Sequence, residues 1–502
     1  MKSHKTRSLK QKAAAGMVWT ALQKYSTMII QFVSGIILAR LLTPYDYGCI
    51  GMLSIFMVLA ETFIDGGFGS ALIQKKRPTQ VDYSTVFWWN LAMAFVMYFV
   101  LYISAPAISR FYKIPLLCDV LRVEGLVLFI YSLNIIQRNQ LKKVLNFKLL
   151  SIISITTSII ALCVTVIMAY KGMGVWALVA QNLILAAIPS LVFWFYVKWR
   201  PKWVFSWQSF KELFSFGFYM FLTHLLNRFG QQFQGLLIGK VYNPSTMGYY
   251  SKAHGVERLA SNSISQVMTQ VTYPLYAEVQ DDKIQMQNMV KRLTMTLSYL
   301  SFPLLFILLL CAKPIFVLLY SDRWLQSVPY FQVLCIAGLA YCLQSVNLQT
   351  ISAIGKSRTM FWWTFLKRTI GIGFVVGGLA LWGMKGLLAG VVLSTWFSYF
   401  VNISLVSKHI GYKWWRQILD LLPVGLASIV AALISYGVGY LLKLDMYPDG
   451  IVKLFVYLTV YIGWSIIFKP ESFTYSLSII PKRFRFWEKK RGHNNTGSIE
   501  QQ

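Results

Sequence analysis

Ten polar side chains stand inside stretches of sequence that are otherwise apolar. They are Lys24, Glu61, Asp65, Arg228, Gln231, Gln234, Lys252, Glu257, Arg258 and Gln266. An ionisable group within a bilayer costs at least about 2.5 kcal/mol, so it usually faces a wet interior. Arginine binds phosphate oxygens bidentately, and glutamine offers donors and acceptors to hydroxyl groups. The four basic residues and three glutamines of this set therefore predict a cationic cavity for a substrate that carries phosphate and sugar hydroxyls.

The three acidic residues of the set are candidates for binding a coupling ion. Glu61 and Asp65 are four residues apart on one helix face and would repel each other if both were ionised. One of them could stay protonated or share a cation, or Glu61 could pair with Lys24. Glu257 is the third candidate, and its neighbour Arg258 should point about 100° away on a helix, so each is expected to need its own partner.

Structural roles compete with these functional ones. Glu257 or Arg258 could form an ion pair between helices that only stabilises the fold. Lys252 could extend its ammonium to the membrane surface, because a lysine stem can lie along apolar surface. These alternatives stay open from the sequence.

Composition indicates the elements that must position these residues. Hydrophobic residues make up 56% of the 502-residue chain and charged residues only 13%, against about 25% charged in soluble proteins. Apolar runs of about twenty residues are the length of membrane-spanning helices. We predict an all-α membrane protein with fourteen spans, near 15–39, 47–72, 84–105, 119–137, 149–169, 173–197, 212–239, 247–276, 294–319, 328–353, 361–382, 385–407, 418–442 and 451–468.

The loops between the predicted spans carry a charge pattern that gives the topology. Basic clusters such as Lys75-Lys76-Arg77 and Lys142-Lys143 occur in every second loop, and the other loops hold mostly single basic residues. The positive-inside rule then places both termini in the cytoplasm. The net charge of +30 is spread over these short clusters, so we expect no nucleic-acid partner.

An internal repeat links residues 200 positions apart. The matched pairs are Gln31 and Gln231, Gly35 and Gly235, Arg40 and Lys240, Pro44 and Pro244, and Gly48 and Gly248. Six spans separate the copies, which predicts a parallel repeat about an axis along the membrane normal. The predicted organisation is a basic tail (1–14), two six-helix lobes (15–200 and 201–410), a two-helix extension (411–470) and a second basic tail (471–502). Chance similarity between apolar segments is the other interpretation.

Motifs for catalysis and for cofactors are missing from the sequence. It has no HExxH, GxSxG or Walker pattern, and its six cysteines show no metal-ligand spacing. The run Gly66-Gly67-Phe68-Gly69 lacks the Lys-Ser/Thr ending of a phosphate-binding loop, so it predicts a kink or break in the second span. We expect a protein that is not an enzyme and that holds neither a cofactor nor a metal.

Several short motifs resemble one family of transporters. They are the runs 37–48 (ILARLLTPYDYG), 61–73 (ETFIDGGFGSALI), 247–253 (MGYYSKA) and 273–276 (YPLY). These resemble the polysaccharide transport family, which contains the Wzx-type flippases and belongs to the multidrug/oligosaccharidyl-lipid/polysaccharide exporter superfamily. The resemblance extends over nearly the whole chain.

The resemblance implies a flippase in the bacterial inner membrane. Its substrate would be undecaprenyl-pyrophosphate-linked oligosaccharide for lipopolysaccharide, capsule or exopolysaccharide, moved by alternating access with ion coupling. A polysaccharide polymerase and the chain-length machinery are the partners to expect, besides membrane lipids. Arg228 and Arg258 would contact the headgroup, supported by Lys24 and Lys252. A drug exporter of the same superfamily and a membrane glycosyltransferase or polymerase are the alternatives.

Overall fold

The computed structural model describes residues 9–278, 282–353 and 357–479, and every regular element in these ranges is a helix. The helices are α1 (Leu9–Leu41), α2 (Pro44–Asp65), α3 (Phe68–Gln74), α4 (Gln80–Tyr112), α5 (Leu116–Glu124), α6 (Leu126–Lys143), α7 (Phe147–Tyr170), α8 (Val175–Tyr196), α9 (Trp207–Val241), α10 (Pro244–Glu278), α11 (Lys283–Leu310), α12 (Ala312–Tyr320), α13 (Ser327–Ala353), α14 (Ser357–Ile410), α15 (Trp414–Leu442), α16 (Met446–Phe468) and α17 (Glu471–Ile479). The predicted all-α fold is confirmed.

Each predicted span falls on helix, but several helices are interrupted. The predicted break in the second span is confirmed, because Gly66 and Gly67 take φ values of 53° and 79° between α2 and α3. Glycine reaches this left-handed region without steric cost. The long helix α14 covers two predicted spans and is broken at Trp382 and Gly383, where Gly383 has φ 58°.

The surface of the protein indicates a lipid environment. Large apolar side chains such as Phe195 (86% exposed) and Leu441 (78% exposed) face outward along the helices. Within the described residues, nine helical segments are long and apolar enough to span a membrane. The chain is a multi-pass membrane protein, and the count of fourteen spans stays a prediction. Helices α9 and α10, which carry most of the predicted site residues, are too polar to be among the nine.

The chain divides into two compact units. The first contains residues 1–253, 316–327 and 364–372. Its cores lie between α1, α7 and α8, around Leu38 and Leu178, and between α3, α4, α6 and α9, around Phe68. Capping boxes fix two helix starts in this unit, at Thr43 with Asp46 and at Thr79 with Asp82.

The second unit contains residues 254–315, 328–363 and 373–502. One core joins α10, α11, α13 and α14 around Tyr276 and Val406, and another lies between α15 and α16 around Tyr457. The short helix α17 packs against α11 and begins where the second basic tail was predicted. The predicted domain boundaries stay predictions, and most of that tail lies outside the described residues.

Candidate functional site

The repeated Pro and Gly residues meet one another at the start of α2 and α10, within the first unit. A Cβ on Gly48 would overlap the carbonyl group of Pro244, and a Cβ on Gly248 would overlap that of Pro44. Small residues let membrane helices approach this closely. Thus the residues that the repeat pairs in sequence make reciprocal contacts across the two helix ends.

One face of α9 carries exposed polar groups. His224, Arg228 and Gln231 follow each other at intervals of four and three residues, and all three side chains are exposed. Residues at this spacing share one helix face. Arg228 is the charged group that acts on Glu61 of α2. This face offers a guanidinium and an amide side by side.

Asp65 ends α2 just before the helix break. Its carboxylate lies close to the glycines of the break, since a Cβ built on Gly69 would meet Asp65 Oδ1 at 2.9 Å, and His224 and Lys142 act on it electrostatically. Among the described residues no ion pair joins Glu61 to Lys24. The alternative pairing of Glu61 with Lys24 is therefore not what this conformation shows, and the positive charge that acts on Glu61 is that of Arg228.

Lys252 is buried in an aromatic cage within the first unit. Its Nζ donates a hydrogen bond of 2.7 Å to the carbonyl oxygen of Gly35. The ammonium lies 4.2 Å from the ring centroid of Tyr320, 4.9 Å from that of Tyr47 and 5.5 Å from that of Trp324. Aromatic faces attract a cation, most strongly where water is excluded. Since Lys252 is only 8% exposed, it does not extend to the membrane surface here.

The remaining predicted binding residues differ in their surroundings. Gln234 accepts a hydrogen bond from the hydroxyl of Tyr250, and Lys24 is half-buried on α1. The side chain of Gln266 lies outside the described residues. Reaching a substrate would require Lys252 and Gln234 to release their present partners.

The second unit holds Glu257 and Arg258 in one cluster. Glu257 is 2% exposed and accepts a hydrogen bond from Ser261. The guanidinium of Arg258 stacks on Tyr341 at 3.9 Å, and its Nε donates to His254 at 3.2 Å.

Glu257 and Arg258 have separate partners, as their adjacent positions on the helix predict, and they also contact each other. The Arg258 Nε lies 3.7 Å from the Glu257 carboxylate, because the long side chain bends back along its own helix. The pair is therefore a local contact on α10, and Tyr341 and Ser261 complete its surroundings.

Two further ionisable residues within predicted spans are notable in the structure, and both lie in the first unit. The guanidinium of Arg368 on α14 donates a hydrogen bond of 3.1 Å to Oδ1 of Asn227, the residue that precedes Arg228. Glu124 ends α5 and is 5% exposed. Both carry the signal that identifies Arg228, a charge inside an apolar run, but they lie outside the first two spans of each predicted lobe, which hold the other candidates.

These features define a class of protein, a multi-pass helical membrane protein with charged groups held between its helices. The family model described as "Polysaccharide biosynthesis protein" matches residues 37–329, more than half of the chain. The chain belongs to this family, which confirms the family resemblance of its motifs.

Individual relatives and a solved structure agree with the family. The chain is 27% identical over 412 residues to "Teichuronic acid biosynthesis protein TuaB" of Bacillus subtilis, covering 81% of this chain and 83% of the relative. It is 24% identical to "Succinoglycan biosynthesis transport protein ExoT" of Rhizobium meliloti, covering 79% and 78%. The structure titled "Lipid II flippase MurJ, inward closed conformation" superposes with a TM-score of 0.73 at 15% identity, over 91% of this chain and 99% of that one. At this identity the superposition shows a shared fold.

Proposed function

We propose that this protein is a flippase that moves undecaprenyl-pyrophosphate-linked oligosaccharide across the bacterial inner membrane by alternating access. The exported units would serve lipopolysaccharide, capsule or exopolysaccharide assembly. Membership of the polysaccharide biosynthesis family and the names of relatives that make or transport such polymers support this function. The fold shared with a lipid II flippase supports a lipid-linked substrate.

The exposed α9 face carries this proposal. A pyrophosphate-sugar headgroup needs a cation for its phosphates and donors and acceptors for its hydroxyls. Arg228 and Gln231 present both on one exposed face. We assign the headgroup to Arg228, Gln231 and Arg258, supported by Lys24, Lys252, Gln234 and Gln266. Glu61, Asp65 and Glu257 are the proposed ion-coupling carboxylates, and the charge of Arg228 acts on Glu61.

The setting follows from the same proposal. Both termini would lie in the cytoplasm, as the alternation of basic loops predicts. Transport would use an ion gradient or the gradient of the substrate, so the protein would not be an enzyme and would need no cofactor. A polysaccharide polymerase and the chain-length machinery would take over the exported units, without nucleic acid as a partner.

The test exchanges Arg228 for alanine in a strain that lacks the chromosomal gene. A charge-assisted hydrogen bond contributes about 1.5–3 kcal/mol, so we expect export to fall roughly ten- to one-hundred-fold. Mass spectrometry with a sidedness assay should find complete lipid-linked units on the cytoplasmic leaflet. Arg110→Ala is the matched control, because Arg110 is an exposed arginine on another helix.

Other outcomes of this experiment would contradict the proposal. Normal export by a well-expressed Arg228→Ala variant would remove Arg228 from the binding site. In the deletion strain, incomplete units would indicate an assembly enzyme. Unchanged lipid intermediates with sensitivity to small toxic compounds would indicate a drug exporter.

A further inference from the structure

Glu124 is a buried carboxyl group with an unusual set of neighbours. It ends α5, which packs against α2, α4, α6 and α8 in the first unit. Its Oε1 accepts a hydrogen bond of 2.8 Å from the amide nitrogen of Asn182 on α8. Its Oε2 is fully buried and has no hydrogen-bond partner in the described part of the chain. One carboxyl oxygen is therefore satisfied and the other is not.

No positive charge compensates this carboxyl group. Among the described residues, no lysine, arginine or histidine forms an ion pair with Glu124. Arg122, only two residues away, places its guanidinium 4.4 Å above the ring of Tyr102 instead.

The other helices packed against α5 bring no cation either. The charged group that acts on Glu124 from α2 is Glu61, which has the same sign. Helix α4 brings two tyrosines and no cation: the ring of Tyr98 lies against Gly125, and that of Tyr102 lies against Arg122. From α8 the neighbour is the neutral Asn182. Helix α6 continues from Gly125 and adds no ion pair to Glu124.

An ionised carboxylate in this place would be unstable. An uncompensated charge in a low-dielectric interior costs several kcal/mol even after the protein relaxes, and a like charge nearby adds to that cost. Binding one proton removes the charge without any other ligand. A metal ion would need further oxygen ligands, and Asn182 presents its amide nitrogen, a donor, to this carboxyl group.

We propose that Glu124 is a proton-binding site, with Asn182 as the positioning residue that holds its carboxyl group. Protonation forms one O–H bond on the carboxylate and breaks none in the protein. The proton leaves when a conformational change admits water to the free oxygen. The sequence predicts ion coupling at Glu61, Asp65 and Glu257, so this site adds a residue to that set.

Glu61 connects this site to the proposed substrate site. It acts electrostatically on Glu124 and, in turn, is acted on by Arg228. An ionised Glu124 adds negative potential next to Glu61 and Arg228, and it thereby weakens the binding of an anion to Arg228. By linkage, a bound anionic headgroup then favours the protonated Glu124 to the same extent. This step rests on the proposed function, whereas the proton site does not.

Infrared spectroscopy of the purified full-length protein in lipid nanodiscs tests the proton site without any substrate. A protonated carboxyl group has a C=O stretch that a carboxylate lacks. At neutral pH, this band should lose one component in Glu124→Gln and keep it in Glu124→Asp. Asn182→Leu should shift the component without removing it. Glu212→Gln is the matched control, because Glu212 has an exposed side chain that is 3.0 Å from Lys75.

The outcomes separate the two proposals. An unchanged C=O band in a folded Glu124→Gln variant would show that Glu124 is ionised and would overturn the proton site. At a pH high enough to ionise Glu124, proton uptake on adding undecaprenyl-pyrophosphate-linked oligosaccharide should be seen in the wild type and lost in Glu124→Gln. If that lipid does not bind the wild type, the flippase proposal fails while the infrared result still decides on Glu124.

Discussion

Positions 52 and 252 follow the repeated segments by four residues each, at the same offset of 200, but carry a methionine and a lysine. Met52 is fully buried, and its carbonyl oxygen accepts a hydrogen bond of 3.4 Å from the hydroxyl of Tyr112 at the end of α4. Lys252 lies under the ring of Tyr320 at the end of α12. In both copies a terminal tyrosine therefore covers the residue, but only one copy buries a charge.

The backbone around these two positions is matched. At the end of α1, Arg40 donates to the carbonyl oxygens of Leu318 and Leu319, the latter at 3.1 Å. At the end of α9, Lys240 donates to the carbonyl oxygen of Phe111 at 2.9 Å. Each copy thus binds the last turn of a helix from the other copy. The comparison teaches that the two segments share a scaffold while only one of them holds a caged cation.

The largest effect should come from adding a methyl group at the close contact between α2 and α10. Alanine at position 48 or 248 would drive a Cβ into the carbonyl group of Pro244 or Pro44. No rotamer relieves a clash with backbone, so α2 and α10 must separate, at a cost of about 1–3 kcal/mol or more. We expect both variants to lose glycan export and to unfold at lower temperature.

Equal losses would support a common scaffold for the two copies. Gly255→Ala on α10 is the control, because nothing lies within 4 Å of its added Cβ. Wild-type export by either Gly48→Ala or Gly248→Ala would break the comparison.

A smaller effect is expected from making the two copies alike. Lys252→Met removes a buried charge, and a flexible methionine can fill the same cage, so the melting temperature should stay equal or rise. Export should fall about tenfold, since a cation that contacts the headgroup contributes at least about 1.5 kcal/mol. The reverse change, Met52→Lys, should lower the melting temperature, because that position offers an ammonium no cage. Unchanged export in Lys252→Met would make Lys252 purely structural.

Much of this fold could be predicted from local sequence. Apolar runs gave the helices, and the adjacent glycines at 66 and 67 gave the break in the second span, because both signals lie within one short segment. The offset of the repeat identified Gly48 and Gly248 as equivalent. It did not reveal that each glycine packs against the proline of the other copy, since that contact depends on tertiary structure.

The candidate site was less predictable. The cage around Lys252 takes Trp324 from a segment more than seventy residues away, and no periodicity connects the two. The contact of Arg258 with Glu257 depends on how a flexible side chain bends, which helix geometry alone does not fix. Glu124 and Arg368 carry a readable signal, a charge inside a span, but they lie outside the first two spans of each predicted lobe, where the predicted site residues cluster.

The smallest effect is expected from removing the basic residue at the end of α1 or of α9, which tests whether these two helix ends are equivalent. The Nζ of Lys240 lies 3.9 Å from the ring centroid of Phe111 and is exposed, and an exposed cation–π contact contributes about 0.5–1 kcal/mol. A cation at a helix C-terminus contributes about 0.3–1 kcal/mol. Lys240→Met should therefore destabilise the protein by roughly 1 kcal/mol in thermal unfolding, and Arg40→Met by a similar amount, with export nearly unchanged. If one variant instead abolishes export while the other does not, the asymmetry between the copies extends beyond positions 52 and 252 to the ends of the helices, and the matched scaffold would have to be abandoned.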